Sequence, residues 1–318
     1  MLTHLKIERF KSIRSLELNC RRVNLFIGEP NTGKSNILEA LGLLSWCGTG
    51  GDISAFVRFE MTHNLFYDGL TEEPIRIEFE KQPAGSVMLR PDKDKFICYF
   101  DDQPIANLSV AGGSRQQGLN RLSAVRKYCF RLLPKYTSPE PGALMPPDGA
   151  NLFAVLYGSK SLRDWVAELF RTYGLTVVLK PHEQKIELQK LHDGLAISYP
   201  FSTASDTLQR IVFYHVAMVS NRDAVLVFEE PEAHAFPYYT KFMGEQIADD
   251  ASNQYFIATH NPYLLTAVLE KANRDEVAVF AVQYKDYETK ATALSDEQIS
   301  RLLDADPFLG LDGVLEAD

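Results

Sequence analysis

The sequence predicts an α/β fold with a mixed β-sheet core and a second, helical and β-rich lobe inserted into it. Three observations carry this expectation. The apolar run Val23-Asn24-Leu25-Phe26-Ile27 leads into a glycine-containing segment from Gly28 to Ser35, and then into Ile37, Leu38, Leu41 and Leu44 at helical spacing. A second apolar run, Ala224 to Phe228, has the composition of a strand buried on both faces and ends in the adjacent carboxylates Glu229 and Glu230. The alternation of such strands with helices is clear up to about residue 50 and again from about residue 200, but not between. Residues 1–50 and 200–318 are therefore expected to form one lobe, and 51–199 the inserted one.

In chain order, Leu5-Lys6-Ile7-Glu8 and Leu16-Glu17-Leu18 alternate apolar with polar and read as half-buried strands before the one that reaches Gly28. In the middle, Ile75 to Phe79 and Phe96 to Phe100 read as strands, and Pro134 to Gly149 is punctuated by Pro and Gly. That punctuation separates a basic segment, expected to be helical, from a helix over Leu162 to Tyr173 with Trp165, Leu169 and Phe170 on its apolar side. A helix from Thr207 to Val219 precedes the strand Ala224 to Phe228. The buried strand Tyr255 to Ala258 leads to a helix that Asn261 can cap, with Pro262 in its first turn. Val277 to Val282 and a helix near Glu297 to Leu303 close the fold. No internal repeat, heptad pattern or low-complexity tract is present.

Composition narrows the function classes. The 318 residues are 45% hydrophobic and 24% charged, a globular balance with ample material for a buried sheet. The longest apolar run, Ile211 to Val219, is interrupted by His215 and falls short of the ~20 residues a membrane helix needs, so no membrane partner is expected. The first residues lack a basic start and an apolar stretch, which makes the cytoplasm the expected location. Cys20, Cys47, Cys98 and Cys129 are scattered without Cys-x-x-Cys or histidine at metal spacing and read as free thiols. A net charge of −9 argues against coating nucleic acid through global charge. Gln103 to Pro139, however, holds no acid and carries Arg115, Arg121, Arg126, Lys127, Arg131 and Lys135. This segment is a candidate surface for nucleic acid or an acidic partner, a solvated face being the plainer alternative.

Gly28-Glu29-Pro30-Asn31-Thr32-Gly33-Lys34-Ser35 matches G-x-x-x-x-G-K-[ST] in full, and it stands between a strand and a helix as that pattern requires. Such a loop, here extended to Asn36, wraps the phosphates of a nucleotide with backbone N–H groups at a helix N-terminus. Lys34 should reach the β- and γ-phosphates and Ser35 should ligate Mg²⁺, which makes ATP and Mg²⁺ the expected cofactors. Asn31 tolerates a left-handed backbone inside the turn. Two carboxylates at the end of a buried strand repel one another unless a cation is near. Glu229 is accordingly a candidate for Mg²⁺ or its water, and Glu230 for polarising the attacking water. The strand ending at Thr259 delivers His260 to the same sheet edge, as a candidate γ-phosphate sensor.

With Ile7-Glu8-Arg9-Phe10-Lys11-Ser12-Ile13, Glu229-Glu230-Pro231-Glu232-Ala233-His234 and Thr259-His260-Asn261-Pro262, the sequence resembles the P-loop NTPase class, within it the ABC-type ATPase heads of the RecF, SMC and OLD (overcoming-lysogenization-defect) group, at residues 1 to about 48 and about 200 to 318. The resemblance implies slow ATP hydrolysis and an ATP-dependent homodimer in which a signature segment of one subunit meets ATP held by the other. The matching stretch is Ser202 to Arg210, with Ser205 offered to the γ-phosphate. It departs from the group's pattern where Asp206 or Thr207 replaces glycine, and no glutamine ends a strand between about 55 and 80. The group's long coiled coils and Cys-x-x-Cys hook are absent, and Asp304, Asp306, Asp312 and Asp318 are spread along the tail rather than clustered as in a Toprim nuclease. The resemblance thus implies an ATPase without its own nuclease, acting with a separately encoded effector in a DNA-related or defence process. The alternative is a nucleotide-gated scaffold with little hydrolysis; a transporter subunit fits the phosphate loop only.

Overall fold

The computed structural model describes residues 1–81, 84–114 and 118–304. Among the described residues the strands are β1 (His4–Phe10), β2 (Ile13–Asn19), β3 (Val23–Ile27), β4 (Ile75–Glu80), β5 (Gly85–Asp92), β6 (Lys95–Phe100), β7 (Gln103–Ser109), β8 (Val125–Tyr128), β9 (Thr176–Lys180), β10 (Lys185–His192), β11 (Leu195–Pro200), β12 (Val225–Glu229), β13 (Gln254–Ala258), β14 (Val277–Lys285) and β15 (Glu288–Ala293). The helices are α1 (Lys34–Thr49), α2 (Leu152–Gly158), α3 (Lys160–Arg171), α4 (Asp206–Ser220), α5 (Pro237–Asp249), α6 (Pro262–Lys271) and α7 (Asp296–Asp304).

The central sheet runs β15-β14-β3-β13-β12-β8 and is parallel except for β15. Its strands are buried on both faces, and this is why they read as continuous apolar runs. Leu226 and Phe228 face a core shared with α2 to α6, whereas Val225 and Val227 face a second core shared with α1. Across α1 lies an antiparallel sheet, β2-β1-β4-β5-β6-β7, whose Ile7, Ile77, Val87 and Leu89 close that second core. A small antiparallel sheet, β11-β10-β9, meets the helical core through Ile186 and Leu188. The amide of Gln254 on β13 holds the chain start, accepting from the Leu2 N–H (2.7 Å) and donating to the carbonyls of Leu2 (2.7 Å) and Arg21 (2.7 Å).

Residues 51–199, the expected inserted lobe, are divided among three places. β4 to β7 extend the sheet begun by β1 and β2, β8 forms the far edge of the central sheet, and α2, α3 and β9 to β11 pack on the helical side. Among its described residues the basic segment forms no α-helix. They include β7, a 3₁₀ turn at Asn120–Leu122 and β8, whose pairing with Val225–Phe228 overrides the helix propensity of Arg126 and Lys127.

Its cations are also dispersed. Strand alternation turns Lys127 inward, where it is buried and donates to the Phe56 carbonyl at 3.0 Å. Arg121 pairs with Asp101 at 2.6 Å, and the Arg126 Nε donates to the Ser123 carbonyl at 3.1 Å. Arg131 and Lys135 are exposed, while Arg115 lies outside the described residues. Asp306, Asp312 and Asp318 likewise lie outside them, as does the side chain of Asp304. Among the described residues no helix is long and apolar enough to cross a membrane.

Candidate nucleotide-binding site

β3 ends at Ile27, and the chain turns through Gly28 (φ 149°), Asn31 (φ 63°) and Gly33 (φ 99°) before α1 begins at Lys34. The left-handed Gly33 is required by both conformation and space, since a Cβ there would stand 1.9 Å from the Thr289 hydroxyl. Thr289 on β15 also donates to the Thr32 carbonyl (3.0 Å) and meets the Ser12 hydroxyl (2.6 Å), which accepts from the Asn36 amide (2.6 Å). The turn between β1 and β2 and the last hairpin thereby fix the loop from behind. Asn36 is a brace of the loop as well as a wall of its cavity.

The cavity has a volume of about 740 Å³ and is lined by Pro30 to Asn36, Glu229, Glu230 and His260. Lys34 folds back over the loop, donating to the carbonyls of Gly28 (2.8 Å) and Glu29 (2.7 Å), near the Thr32 hydroxyl. Burial pulls its ammonium down to about 8, against the pull of Glu230 and Glu29. Facing it, Glu230 has left-handed backbone (φ 43°) and donates its N–H to the Ala258 carbonyl at 2.9 Å. This ties the end of β12 to the end of β13. The His260 Nε2 lies 3.5 Å from the Glu230 carboxylate. Burial and the Lys34 charge hold the imidazole below the ordinary histidine range, although Glu230 opposes them.

Glu229 is paired with Arg58 at 3.3 Å, and Arg58 also reaches Glu39 at 2.6 Å. Glu39 is fully buried on α1 and accepts from Lys11 as well. Burial pushes its carboxyl up, but Lys11, Lys127 and the hydrogen bonds from Lys11 and Arg58 outweigh this and hold it below the usual range. A chain of charges thus runs from the β1–β2 turn, through the helix that follows the phosphate loop, to the end of β12.

Gly28 to Asn36, Glu229, Glu230 and His260 are therefore brought together, with Gly28 and Glu29 supplying backbone to Lys34. Ser205 is not part of this cavity. It is exposed at the start of α4, accepting from the Leu208 N–H at 3.3 Å. The next turn of α4 does reach the site. Thr207 donates to the His234 carbonyl (2.7 Å), and Arg210, held by Asp206 (2.7 Å) and stacked on Phe130 (4.8 Å), lines the cavity. Sequence reasoning missed Arg58, Arg210, Thr289, Glu39 and the bracing role of Ser12. Arg58 lies in the stretch searched for a glutamine, and its only mark there is a charge set between Val57 and Phe59.

The chain matches no protein-family profile. An uncharacterized protein of Methanocaldococcus jannaschii is 27% identical over 110 residues, 30% of this chain and about half (49%) of that protein. Among solved structures, an SMC head bound to the C-winged helix domain of ScpA is similar with a TM-score of 0.61 at 13% identity, over 94% of this chain and 99% of the other. A second SMC head, with an extended coiled coil and bound to the C-terminal domain of ScpA derived from Pyrococcus furiosus, gives a TM-score of 0.59 at 12% identity, over 95% and 98%. These likenesses span both ends and the middle of the chain. The fold is that of an ABC-type P-loop NTPase head.

Proposed function

We propose that the chain binds ATP with Mg²⁺ at Gly28 to Asn36 and hydrolyses it slowly, and that ATP drives association of two such heads. The observation that carries this reading is the placement of Lys34, Glu230 and His260 around one cavity whose floor is the glycine loop. On ATP binding, Lys34 would exchange the Gly28 and Glu29 carbonyls for phosphate oxygens. Glu230 is positioned to orient and deprotonate a water, and His260, kept largely neutral by its surroundings, can donate to a phosphate oxygen. Among the described residues no cluster of three or more His, Cys, Asp or Glu could hold a metal alone. Ser35 and Glu229 would instead hold a Mg²⁺ that arrives with the nucleotide, and Arg58 would release Glu229 to it. Such an ion would supply positive charge to neutralise the phosphates.

Ser205, exposed at the N-terminus of α4, suits contact with nucleotide held by a second copy. The sequence resemblance supports a switch in a DNA-related or defence process, and the ScpA-bound SMC heads of similar fold support a separate partner protein. The exposed Arg131 and Lys135 remain candidates for an acidic ligand. The scaffold reading is favoured by one observation, that Thr207 is fixed to His234 where the group's pattern has glycine. Light scattering on Glu230→Gln with and without ATP and Mg²⁺ tests association, and phosphate release by the unaltered protein tests hydrolysis. Doubled mass with measurable release supports the switch; doubled mass without release supports the scaffold; unchanged monomeric mass refutes both.

A further inference from the structure

Glu232 stands two residues beyond Glu230 and is 4% exposed, out of reach of the cavity, whose lining does not include it. Its Oε1 accepts from the hydroxyl of Thr259, which itself accepts from the Asn261 N–H at 2.9 Å. The Thr259 N–H donates to Phe26 (3.1 Å), the last but one residue before the phosphate loop. His260 thus rides on a corner held by β3 on one side and by Glu232 on the other. The second oxygen of Glu232 is buried and has no hydrogen-bond partner.

A buried carboxyl with an unpartnered oxygen is costly and, if ionised, more so. The group facing it is Glu230, whose negative charge adds to the cost, whereas the Thr259 hydroxyl and the amides of Glu232 and His260 relieve it; burial is the largest influence and pushes the carboxyl up to about 7. An apolar residue could fill this space without that cost. The hydrogen bond to Thr259 is what an apolar residue could not supply.

We propose that Glu232 is a positioning residue for the Glu230–His260 pair, fixing the His260 corner through Thr259 by a hydrogen-bond-accepting oxygen rather than by its charge. The inference rests on the hydrolysis reading for its consequence but not for its geometry. Without the hydroxyl link the corner keeps the Thr259 N–H to Phe26 and, where Glu232 remains, the His260 amide to its carboxyl, and the His260 ring gains freedom to leave Glu230 for solvent. Glutamine keeps the accepting oxygen and should preserve the arrangement, whereas alanine at 232 or valine at 259 should release it.

The test follows the His260 ring by NMR across pH in the full chain, beside single-turnover hydrolysis of ATP and measurement of its Kd. In Glu232→Ala and Thr259→Val the His260 midpoint should rise toward the ordinary histidine value, as its burial is relieved. Hydrolysis should slow by at least about 10-fold while the Kd for ATP stays within about twofold. Glu232→Gln and Thr259→Ser should keep the native midpoint and stay within about threefold in rate. Unchanged His260 titration in both disruptive variants, or Glu232→Gln behaving like Glu232→Ala, would overturn the proposal. If Glu232→Ala does not fold, Thr259→Val, which keeps the shape of the side chain and opens no cavity, decides alone. An unaltered protein that shows no turnover, combined with a His260 midpoint that moves as expected, would refute hydrolysis and leave the positioning role standing.

Discussion

Replacing Glu39 by glutamine should destabilise the protein by about 3–5 kcal/mol at pH 7, the range for removing one partner of a buried ion pair. Glu39 has no exposed side-chain surface and Lys11 only 14%, so the lysine is left charged, buried and without its carboxylate. A second estimate bounds the loss. Burial already pulls the Lys11 ammonium below the lysine range, against the attraction of Glu39. With Glu39 gone, Lys11 can shed its proton, which from an ordinary value near 10.4 costs at most about 4.6 kcal/mol at pH 7. The two figures agree and correspond to roughly 5–7 °C in Tm for a chain of this size.

The pH dependence separates this cause from simple loss of packing. In the variant the folded state binds the Lys11 proton more weakly than the unfolded state does. Its stability relative to the unaltered protein therefore rises with pH, by up to about 1.4 kcal/mol per pH unit, from the Lys11 value in the variant up to the less depressed value in the unaltered protein, above which both gain alike. Lys34 titrates in both proteins and cancels in the difference. Urea unfolding of both at intervals from pH 7 to 9.5 measures this, and a deficit below about 1 kcal/mol, or one flat across the range, would refute the argument.

Three other outcomes are expected. Gly33→Ala should abolish ATP binding with little loss of fold, because the added methyl meets Thr289 at φ 99°; retained binding in equilibrium dialysis would show that the loop relaxes freely. Lys34 is held at about 8, and phosphate should raise that value, so affinity is full below pH 8 and falls up to tenfold per unit above it; calorimetry in buffers of different ionisation enthalpy should detect proton uptake at pH 9, and none there would contradict the burial of the ammonium. Gln254→Ala, which removes three hydrogen bonds, should cost about 2–4 kcal/mol and expose the Leu2 amide to hydrogen exchange, whereas undiminished protection would show that the chain start is held otherwise.

What could be read from the sequence was what is decided locally. The glycine loop carries its own spacing, Ser205 and Asn261 cap α4 and α6 through side chains one turn away, and β3, β12 and β13 are apolar because both faces are covered. β8 escaped because a Lys at its centre reads as surface until the Phe56 carbonyl is found 71 positions earlier to receive it. Arg58 and Thr289 escaped for a related reason. Their partners, Glu229 and the phosphate loop, are 171 and 257 positions away, and no short-range pattern encodes such pairings. Glu232 and Thr259 stand 27 positions apart in two separate motifs, and in sequence a buried carboxyl looks the same as a solvated one.

The contact between Thr289 and the phosphate loop also has a meaning in time. The loop is synthesised before the hydroxyl that braces it, which comes 257 positions later. At usual elongation rates that interval is roughly 13–50 s, during which a nascent chain displays the complete glycine motif without the hairpin that shapes it. The bracing of the loop is thereby deferred until that hairpin has been made, so that a nascent chain ending short of it carries the motif without the contact that shapes it.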